Sequence, residues 1–382
     1  MLGGALAVLL TGQITPSDAF HAINPDVMVF LFGMFVVGEA LVESGYFSII
    51  AHRFFSRVQN RDQLVFMILM GFGILSAILM NDTIAIIGTP VVLWCAARFR
   101  VSPKLMLLTL AVAITTGSVM SPIGNPQNLL VAINSGMAAP FITFGVFLVI
   151  PTFVNLGIAF FILRFFYRDG FQVSMTNGTN NEPHERDPHL ACIVRISLLV
   201  IIALIIVNIA SSLTESKLLV SLPLIAACAA APILVFSTRR VKIFTSIDWQ
   251  TLIFFAAMFV LMESVWQTGF FQTFITGSQV SSIPSILATS VIISQFISNV
   301  PFVALFLPLI NTAGGTLAQF MALAAGSTIA GNLLILGAAS NIIIIQSAEK
   351  QGETLTFSEF AKVGVPLTIL QVLVYWLFLT LV

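Results

Sequence analysis

Residues 64–97 read LVFMILMGFGILSAILMNDTIAIIGTPVVLWCAA, an apolar stretch that carries Asn81, Asp82 and Thr83 near its centre. A carboxylate at bilayer depth costs several kcal/mol unless it faces a cavity, a partner or an ion. This polar triplet therefore indicates a functional site. The stretch also decides how the chain crosses the membrane, because basic residues precede it and follow it.

The composition is typical of a polytopic membrane protein. Of the 382 residues, 58% are hydrophobic and 8% are charged, and the mean hydropathy is +1.03. A soluble core of this length cannot absorb so much apolar surface, whereas apolar runs of about 20 residues each match one bilayer crossing. The net charge is zero and no basic tract carries interleaved aromatic residues, which argues against a nucleic-acid partner. The three cysteines have no paired spacing, so we predict no metal knuckle.

The positions of the basic residues predict the topology. We expect spans near 1–12, 26–45, 105–131, 141–163, 191–211, 218–236, 250–268, 316–345 and 363–382. The interrupted stretch 64–97 has basic flanks and 284–311 has uncharged flanks, so each enters and leaves on one side as a hairpin. Of the 16 Lys and Arg residues, only Lys217 then falls outside the cytoplasmic segments. The legs of the second hairpin are shorter than the hydrocarbon core and predict a re-entrant hairpin, whereas the first is either re-entrant or fully spanning.

Three pairs of motifs recur in the same order along the chain. MFVVGEALVESGYF at 34–47 matches MFVLMESVWQTGFF at 258–271, an offset of 224 residues. The hairpin residues Asn81 and Asn299 correspond at an offset of 218. SPIGNPQN at 121–128 matches LILGAASN at 334–341, an offset of 213. Each match after a hairpin contains Pro or Gly inside an apolar helix, which predicts a broken helix.

This order predicts an all-α polytopic membrane protein built from two inverted-topology repeats. We expect about nine full crossings, two helical hairpins and two broken helices. The first repeat covers 1–163, with its hairpin at 64–97 and its broken helix at 105–131. The second covers 218–382, with its hairpin at 284–311 and its broken helix at 316–345. Residues 164–211 form a cytoplasmic linker and one odd crossing, which turns the second repeat upside down. By the offset of 224, residues 1–12 correspond to 225–236, so the chain is expected to begin inside a helix.

Folds of this kind hold substrate and coupling ions near the bilayer midplane, at discontinuous helices. The site residues predicted at the tips and breaks are Asn81, Asp82, Thr83, Ser121, Gly124, Asn125, Asn128, Ser298, Asn299, Gly337, Ser340 and Asn341. A sodium ion is one expected ligand, held by Asn81, Asp82, Thr83 and Asn299, and proton uptake by Asp82 is the alternative. The positive helix ends at tips and breaks suit an anion without Lys or Arg. Glu39 and Glu263 lie near helix ends, where we expect a supporting or snorkelling role.

The motifs NDT followed by TP, SPIGNPQN, SNVP and GNLLILGAASN resemble the ion transporter superfamily. The most similar branch holds arsenite permeases and sodium/proton antiporters with citrate-transporter-like anion permeases. The resemblance covers nearly the whole chain and implies secondary transport, often by a dimer. In sodium-coupled dicarboxylate relatives both tips read Ser-Asn-Thr and hold sodium and a substrate carboxylate. This chain departs from that pattern at Asp82 and Val300, which favours a proton or a single sodium site at Asp82 over dicarboxylate specificity.

Two other classes of protein fit less well. A membrane-embedded enzyme needs a nucleophile with a base or a histidine and carboxylate metal set, and the four histidines lie in or beside predicted loops. The chain is therefore predicted not to be an enzyme. It also contains no GxxxxGKS/T motif, so it cannot hydrolyse ATP by itself as a pump. A separate soluble ATPase partner, which the likeness to arsenite permeases implies, stays open.

The sequence thus predicts a secondary-active permease of a small anion or oxyanion, coupled to H⁺ or Na⁺. A sodium/proton antiporter and an arsenite efflux permease working with a separate ATPase are the alternatives. We expect an integral protein of a prokaryotic-type plasma (inner) membrane, with no cofactor other than Na⁺ as a coupling ion. The lipid bilayer, the small anion and a second copy of the chain in a homodimer are the expected partners. Symport and antiport stay open.

Overall fold

The computed structural model describes residues 1–168, 187–214, 220–275 and 280–382, and all regular elements within these ranges are helices. The polar part of the predicted linker, 169–186, and Lys217 lie outside the described residues. Seven of the described helices are long and apolar enough to cross a membrane. The predicted all-α class is therefore confirmed, whereas the number of crossings and the inverted relation of the repeats stay predictions.

The first repeat contains nine helices within the described residues. They are α1 (Leu2–Leu10), α2 (Pro16–Ala22), α3 (Pro25–Ser44), α4 (Tyr46–Phe55), α5 (Arg61–Leu79), α6 (Asn81–Phe99), α7 (Pro103–Ser118), α8 (Pro126–Asn134) and α9 (Pro140–Phe166). Local sequence explains several ends: Asn24 and Asn60 cap α3 and α5 by accepting hydrogen bonds from backbone N–H groups, and Gly45 ends α3 at a φ of 70°. The long helix α10 (Pro188–Leu213) follows as the connection to the second repeat.

Within the described residues, the second repeat contains nine α-helices that follow the same order. They are α11 (Leu222–Phe236), α12 (Arg240–Ser246), α13 (Trp249–Gln267), α14 (Phe270–Phe274), α15 (Ile283–Ile297), α16 (Asn299–Thr312), α17 (Leu317–Leu333), α18 (Ala339–Glu349) and α19 (Phe357–Leu381). A short 3-10 helix, Ile335–Gly337, lies between α17 and α18. The hairpin α5–α6 thus corresponds to α15–α16, and the broken helix α7–α8 corresponds to α17–α18. The short helices α2, α4, α12 and α14 were not predicted.

The two repeats pack crosswise. The first helix of each repeat contacts the third helix of the other, α1 against α13 and α11 against α3. The second half of each broken helix contacts the hairpin of the other repeat, α8 against α16 and α18 against α6. The closing helices α9 and α19 contact each other. Both hairpin tips are therefore surrounded by residues from both repeats.

Both hairpins turn at a strained residue that is not glycine. Met80 has φ 68° and ψ 143°, and Ser298 has φ 71° and ψ 162°. The two positions differ by the offset of 218 seen in the sequence. A side chain in this backbone region costs about 1–3 kcal/mol, and such residues cluster at functional sites. The strain thus marks the two tips, directly before Asn81 and Asn299.

Candidate functional site

The helix breaks are built around two glycines that allow close backbone contact. A Cβ atom at Gly124 would lie 2.3 Å from the backbone oxygen of Ser118. A Cβ atom at Gly337 would lie 2.6 Å from the backbone oxygen of Ala330 and 3.0 Å from Oε1 of Gln295. The distances of 2.3 Å and 2.6 Å to backbone oxygens are shorter than an ordinary van der Waals contact, so only glycine fits at either position.

Asn125 and Asn128 brace the first break from inside. The Oδ1 atom of Asn125 caps α8 by accepting a hydrogen bond from the N–H of Asn128 at 2.8 Å. The Nδ2 atom of Asn128 donates to the backbone oxygens of Ser118, Val119 and Ser121 at 3.0–3.2 Å. Across the repeat interface, Thr328 donates to Oδ1 of Asn128 at 3.0 Å. These polar groups satisfy backbone oxygens that the break leaves without a helical partner.

Asn341 braces the second break with fewer bonds. Its Nδ2 atom donates to the backbone oxygen of Gly331 at 2.7 Å, and Gly331 is the residue that corresponds to Ser118 at the offset of 213. Its Oδ1 atom is buried and has no hydrogen-bond partner among the described residues. Asn341 therefore shares the bracing bond of Asn128 and keeps one free acceptor.

The tip of the first hairpin contacts both breaks. The N–H of Asn81 donates to the backbone oxygen of Gly124 at 2.9 Å, and Nδ2 of Asn81 donates to Oγ of Ser340 at 3.4 Å. Oδ1 of Asn81 accepts from the N–H of Asp82 at 3.0 Å. The structure thus brings Asn81, Gly124 and Ser340 together. Ser121 lies in the same break and is buried, with its Oγ accepting from the N–H of Ile123.

A cavity of about 500 Å³ adjoins this tip and is called the tip cavity below. Asp82 and Thr83 line it at the start of α6, and Ala339 lines it at the start of α18. Its other polar lining residues are Glu39, Ser246, Asp248, Gln250, Thr251 and Gln346. Among the described residues that line the cavity there is no Lys or Arg. The tip cavity therefore combines three carboxylates with the positive ends of two helices.

A smaller cavity of about 320 Å³ occupies the corresponding place in the other repeat and is called the opposite cavity below. Phe259, Met262, Glu263 and Trp266 line it at positions 224 residues after Phe35, Gly38, Glu39 and Val42 of the tip cavity. On α16 its lining begins at Ala304, one turn beyond Val300, which is the residue that corresponds to Asp82. The tip cavity thus reaches its hairpin tip, whereas the opposite cavity stops short.

The second tip is more apolar than the first. Ser298 is half-buried, Asn299 is buried, and Val300 replaces the carboxylate of the first tip. The Oδ1 atom of Asn299 has no hydrogen-bond partner among the described residues. One helical turn before Asn299, the Nε2 atom of Gln295 donates a hydrogen bond to the backbone oxygen of Ala330 at 2.8 Å and thereby connects the second hairpin to α17. The second tip therefore offers an amide oxygen but no charge.

Several residues that the sequence interpretation did not select belong to the site. Thr328 connects the two repeats by its bond to Asn128 and by accepting from Nδ2 of Asn125 at 3.2 Å. Asp248 caps α13 and lines the tip cavity, and Glu39 lines it beside Gly38. The signal for Asp248 was the capping pattern Asp-x-x-Thr before an apolar run. The signal for Glu39 was its recurrence as Glu263 in the motif repeated at 34–47 and 258–271.

Close to the tip cavity, one helical turn after Glu39 on α3, a group of ion pairs joins three parts of the chain. Arg239 contacts Glu43 at 2.5 Å and Asp187 at 2.7 Å, and Lys242 contacts Glu43 at 2.7 Å. The pKa of the Asp187 carboxyl is lowered, chiefly because it accepts a hydrogen bond from the N–H of Leu190 at the start of α10. Because Arg239 and Lys242 lie in a predicted cytoplasmic segment, the tip cavity lies on the predicted cytoplasmic side.

A hairpin tip and a broken helix that meet at a polar cavity inside an apolar helical protein define the class: the chain is an integral membrane transporter. The family model described as citrate transporter matches residues 1–319, and the chain belongs to the citrate transporter family. The resemblance to the ion transporter superfamily is thereby confirmed. The family consists of transporters rather than enzymes.

The relatives agree with this class over nearly the full length of the chain. An uncharacterized transporter of Mycobacterium bovis is 26% identical, with 97% of this chain and 90% of the relative covered. A silicon efflux transporter of Oryza sativa subsp. japonica is also 26% identical, with 96% of this chain and 88% of the relative covered. In fold, the chain resembles the YdaH transporter of Alcanivorax borkumensis, with a TM-score of 0.62, 16% identity, and 95% of this chain and 86% of that chain covered.

Proposed function

We propose that this protein is a secondary-active permease that moves a small anion or oxyanion, coupled to H⁺ or Na⁺. One observation carries the proposal: Asp82 lines the tip cavity at the point where α6 and α18 both begin. The N-terminal ends of helices attract negative charge, by about 0.3–1 kcal/mol each and more where they are partly buried. An anion and the Asp82 carboxylate therefore compete for the same positive field.

This competition supplies a coupling mechanism. While Asp82 is ionised, its charge occupies the positive field of α6 and repels an anion from the cavity. Once Asp82 binds a proton, or a sodium ion neutralises it, the positive ends of α6 and α18 act on the anion without a competing negative charge. Binding of the anion and binding of the cation then favour each other, as cotransport requires.

The acidic lining also bears on the kind of anion. Glu39, Asp82 and Asp248 all line the tip cavity, so a multiply charged free anion meets strong repulsion there. A weak oxyacid that is mostly uncharged near neutral pH avoids this cost. The relative from Oryza sativa is described as a silicon efflux transporter, which supports a solute of this chemistry. We therefore favour a small hydroxylated oxyacid or its singly charged anion.

For Na⁺ as the coupling ion, oxygen ligands are present but unevenly distributed. Asp82 and Thr83 offer oxygens to the tip cavity, and the Oδ1 atom of Asn299 has no hydrogen-bond partner among the described residues. The Oδ1 atom of Asn81 already accepts a hydrogen bond from the N–H of Asp82. This set supports one sodium site at the first tip less strongly than it supports protonation of Asp82.

A sodium/proton antiporter is the second candidate function, favoured by the three carboxylates of the tip cavity. In that case cations alone occupy the cavity and exchange at Asp82. Arsenite efflux with a separate ATPase is the remaining alternative and differs in needing no ion gradient. We further propose a homodimer in a prokaryotic-type inner membrane.

The test is transport by purified protein in liposomes, with imposed Na⁺ or H⁺ gradients and with silicate, arsenite and citrate as solutes. The wild type is expected to accumulate one solute under a gradient. Asp82→Asn mimics the protonated carboxyl, so this variant is expected to bind the solute but to lose accumulation. Asp26→Asn, at an exposed position in the first turn of α3, is the matched control and should behave as the wild type.

Three results would contradict the proposal. Proton movement under a sodium gradient with no solute present, lost in Asp82→Asn, identifies the antiporter. Accumulation by Asp82→Asn equal to that of the wild type removes Asp82 from the coupling step. Arsenite transport that requires an added ATPase identifies the pump.

A further inference from the structure

We propose that Glu39 transfers the coupling proton between the predicted cytoplasmic side and Asp82. The inference rests on the proposed transport function and on its H⁺-coupled form. It gives a transport role to a carboxylate for which sequence position alone suggests a snorkelling role near a helix end.

The first supporting observation is the contact between α3 and the hairpin tip. A Cβ atom at Gly38 would lie 2.9 Å from Cγ2 and 3.0 Å from Oγ1 of Thr83. The absence of a side chain at position 38 therefore lets the hairpin tip rest directly on α3. Glu39 follows Gly38 and lines the tip cavity together with Asp82. Both carboxylates thus face one space of about 500 Å³, which is far larger than the volume of a water molecule.

The second observation is the contrast between Glu39 and Glu43, which lie one helical turn apart on the same face of α3. Glu43 contacts Arg239 at 2.5 Å and Lys242 at 2.7 Å, which fix it as an anion. Glu39 is half-buried, and among the described residues it makes no hydrogen bond or ion pair, although Lys242 and Glu43 lie near enough to act on its charge. Glu39 is therefore free to gain and lose a proton, whereas Glu43 is not.

The charged groups around Glu39 favour exchange of a proton over permanent ionisation. Glu43 lies on its own helix, Asp82 on the first hairpin and Asp248 at the start of α13, and Lys242 lies on the adjacent α12. Asp82 and Asp248 thus share the tip cavity with Glu39, and Glu43 lies one turn along α3, where Arg239 and Lys242 contact it. Repulsion among the carboxylates lowers the cost of protonating one of them at a time.

The opposite cavity lacks this arrangement. Glu263 corresponds to Glu39, but its Oε1 atom accepts a hydrogen bond from Nε2 of Gln267 at 3.0 Å. Asp82 corresponds to Val300, and Asp248 corresponds to Asn24. A proton on Glu263 thus has no acceptor at the second tip. The two cavities are similar in position but differ in chemistry, so the transfer is specific to the predicted cytoplasmic side.

The step conserves atoms and charge. A proton leaves the carboxyl of Glu39, passes along water in the tip cavity and binds the carboxylate of Asp82. Glu39 becomes ionised and Asp82 becomes neutral, so the positive end of α6 attracts the solute without competition from the Asp82 charge. Release on the predicted cytoplasmic side reverses the step, and Glu39 passes the proton to bulk water.

The experiment compares Glu39→Gln with Glu263→Gln in liposomes that contain a pH-sensitive dye. Solute uptake and proton flux are measured while the pH on the predicted cytoplasmic side is varied. Glu39→Gln is expected to slow proton flux by at least about tenfold and to flatten its dependence on that pH. Glu39→Asp should restore most of the flux, and Glu263→Gln should stay within about twofold of the wild type.

Every outcome bears on the inference. Equal effects of Glu39→Gln and Glu263→Gln, or no recovery in Glu39→Asp, would overturn it while leaving transport itself intact. Solute accumulation by the wild type under a sodium gradient with no proton flux overturns it as well, without affecting the permease function. If the wild type accumulates no solute under any gradient, the proposed function itself fails. Because Glu39 makes no hydrogen bond among the described residues, the Gln variant is expected to fold, which size-exclusion chromatography checks.

Discussion

Removal of the Asn128 side chain tests whether the hydrogen bonds of this residue stabilise the first helix break. Asn128→Ala deletes three donated hydrogen bonds and the one accepted from Thr328. The three donated bonds share two amide hydrogens, so the loss corresponds to about three full bonds. At about 1 kcal/mol of net stability per bond, we expect the free energy of unfolding to fall by about 3 kcal/mol.

Asn341→Ala is the matched control, because it removes the corresponding residue of the second repeat. Asn341 donates one hydrogen bond, to Gly331, so the expected loss is about 1 kcal/mol. Unfolding in mixed micelles, titrated with SDS and followed by tryptophan fluorescence, gives both free energies under the same conditions. Equal losses of unfolding free energy in the two variants would refute the conclusion that Asn128 stabilises its break more than Asn341 does.

Two further predictions concern the second tip and the start of α10. Ser298→Gly should raise the free energy of unfolding by about 1 kcal/mol, because glycine adopts the φ of 71° without a Cβ clash. Ser298→Ala loses the same hydroxyl but keeps the clash, so an equal gain in both variants would show that the backbone is not strained. The lowered pKa of Asp187 means that its ionised form stabilises the fold, and this contribution is lost as the pH falls below the usual range of an Asp carboxyl. Asp187→Asn should therefore reduce the loss of stability between pH 5 and about pH 3 in the same titration, and an unchanged pH dependence would contradict the prediction.

The sequence predicts the long helices well because hydrophobicity and length determine them. The predicted spans 26–45, 141–163 and 250–268 correspond to Pro25–Ser44, Pro140–Phe166 and Trp249–Gln267. Both breaks also fall where Pro and Gly interrupt apolar runs. The helices α2, α4, α12 and α14 escaped prediction because segments of 5 to 10 residues carry too little periodic signal to stand out from loops.

The candidate site is predicted in part. Repeat symmetry identifies the tips and breaks, and the structure places Asn81 against Gly124 and Ser340. Residue spacing does not fix the direction in which a polar group points, so the bracing hydrogen bonds of Asn128 are evident only in the folded structure. The tip cavity is a tertiary feature, because Glu39, Asp82 and Asp248 come from three separate helices or helix ends.

The crosswise packing of the first helices has a consequence for biosynthesis. Ala5 of α1 lies in one buried apolar cluster with Ala257 and Val260 of α13, so α1 has no complete packing partner until residues near 260 leave the ribosome. During synthesis, the face of α1 that later packs on α13 is therefore expected to contact lipid until α13 has entered the membrane. A transporter cut between its repeats would need both fragments in the same bilayer to assemble, since each half supplies the missing wall of the other.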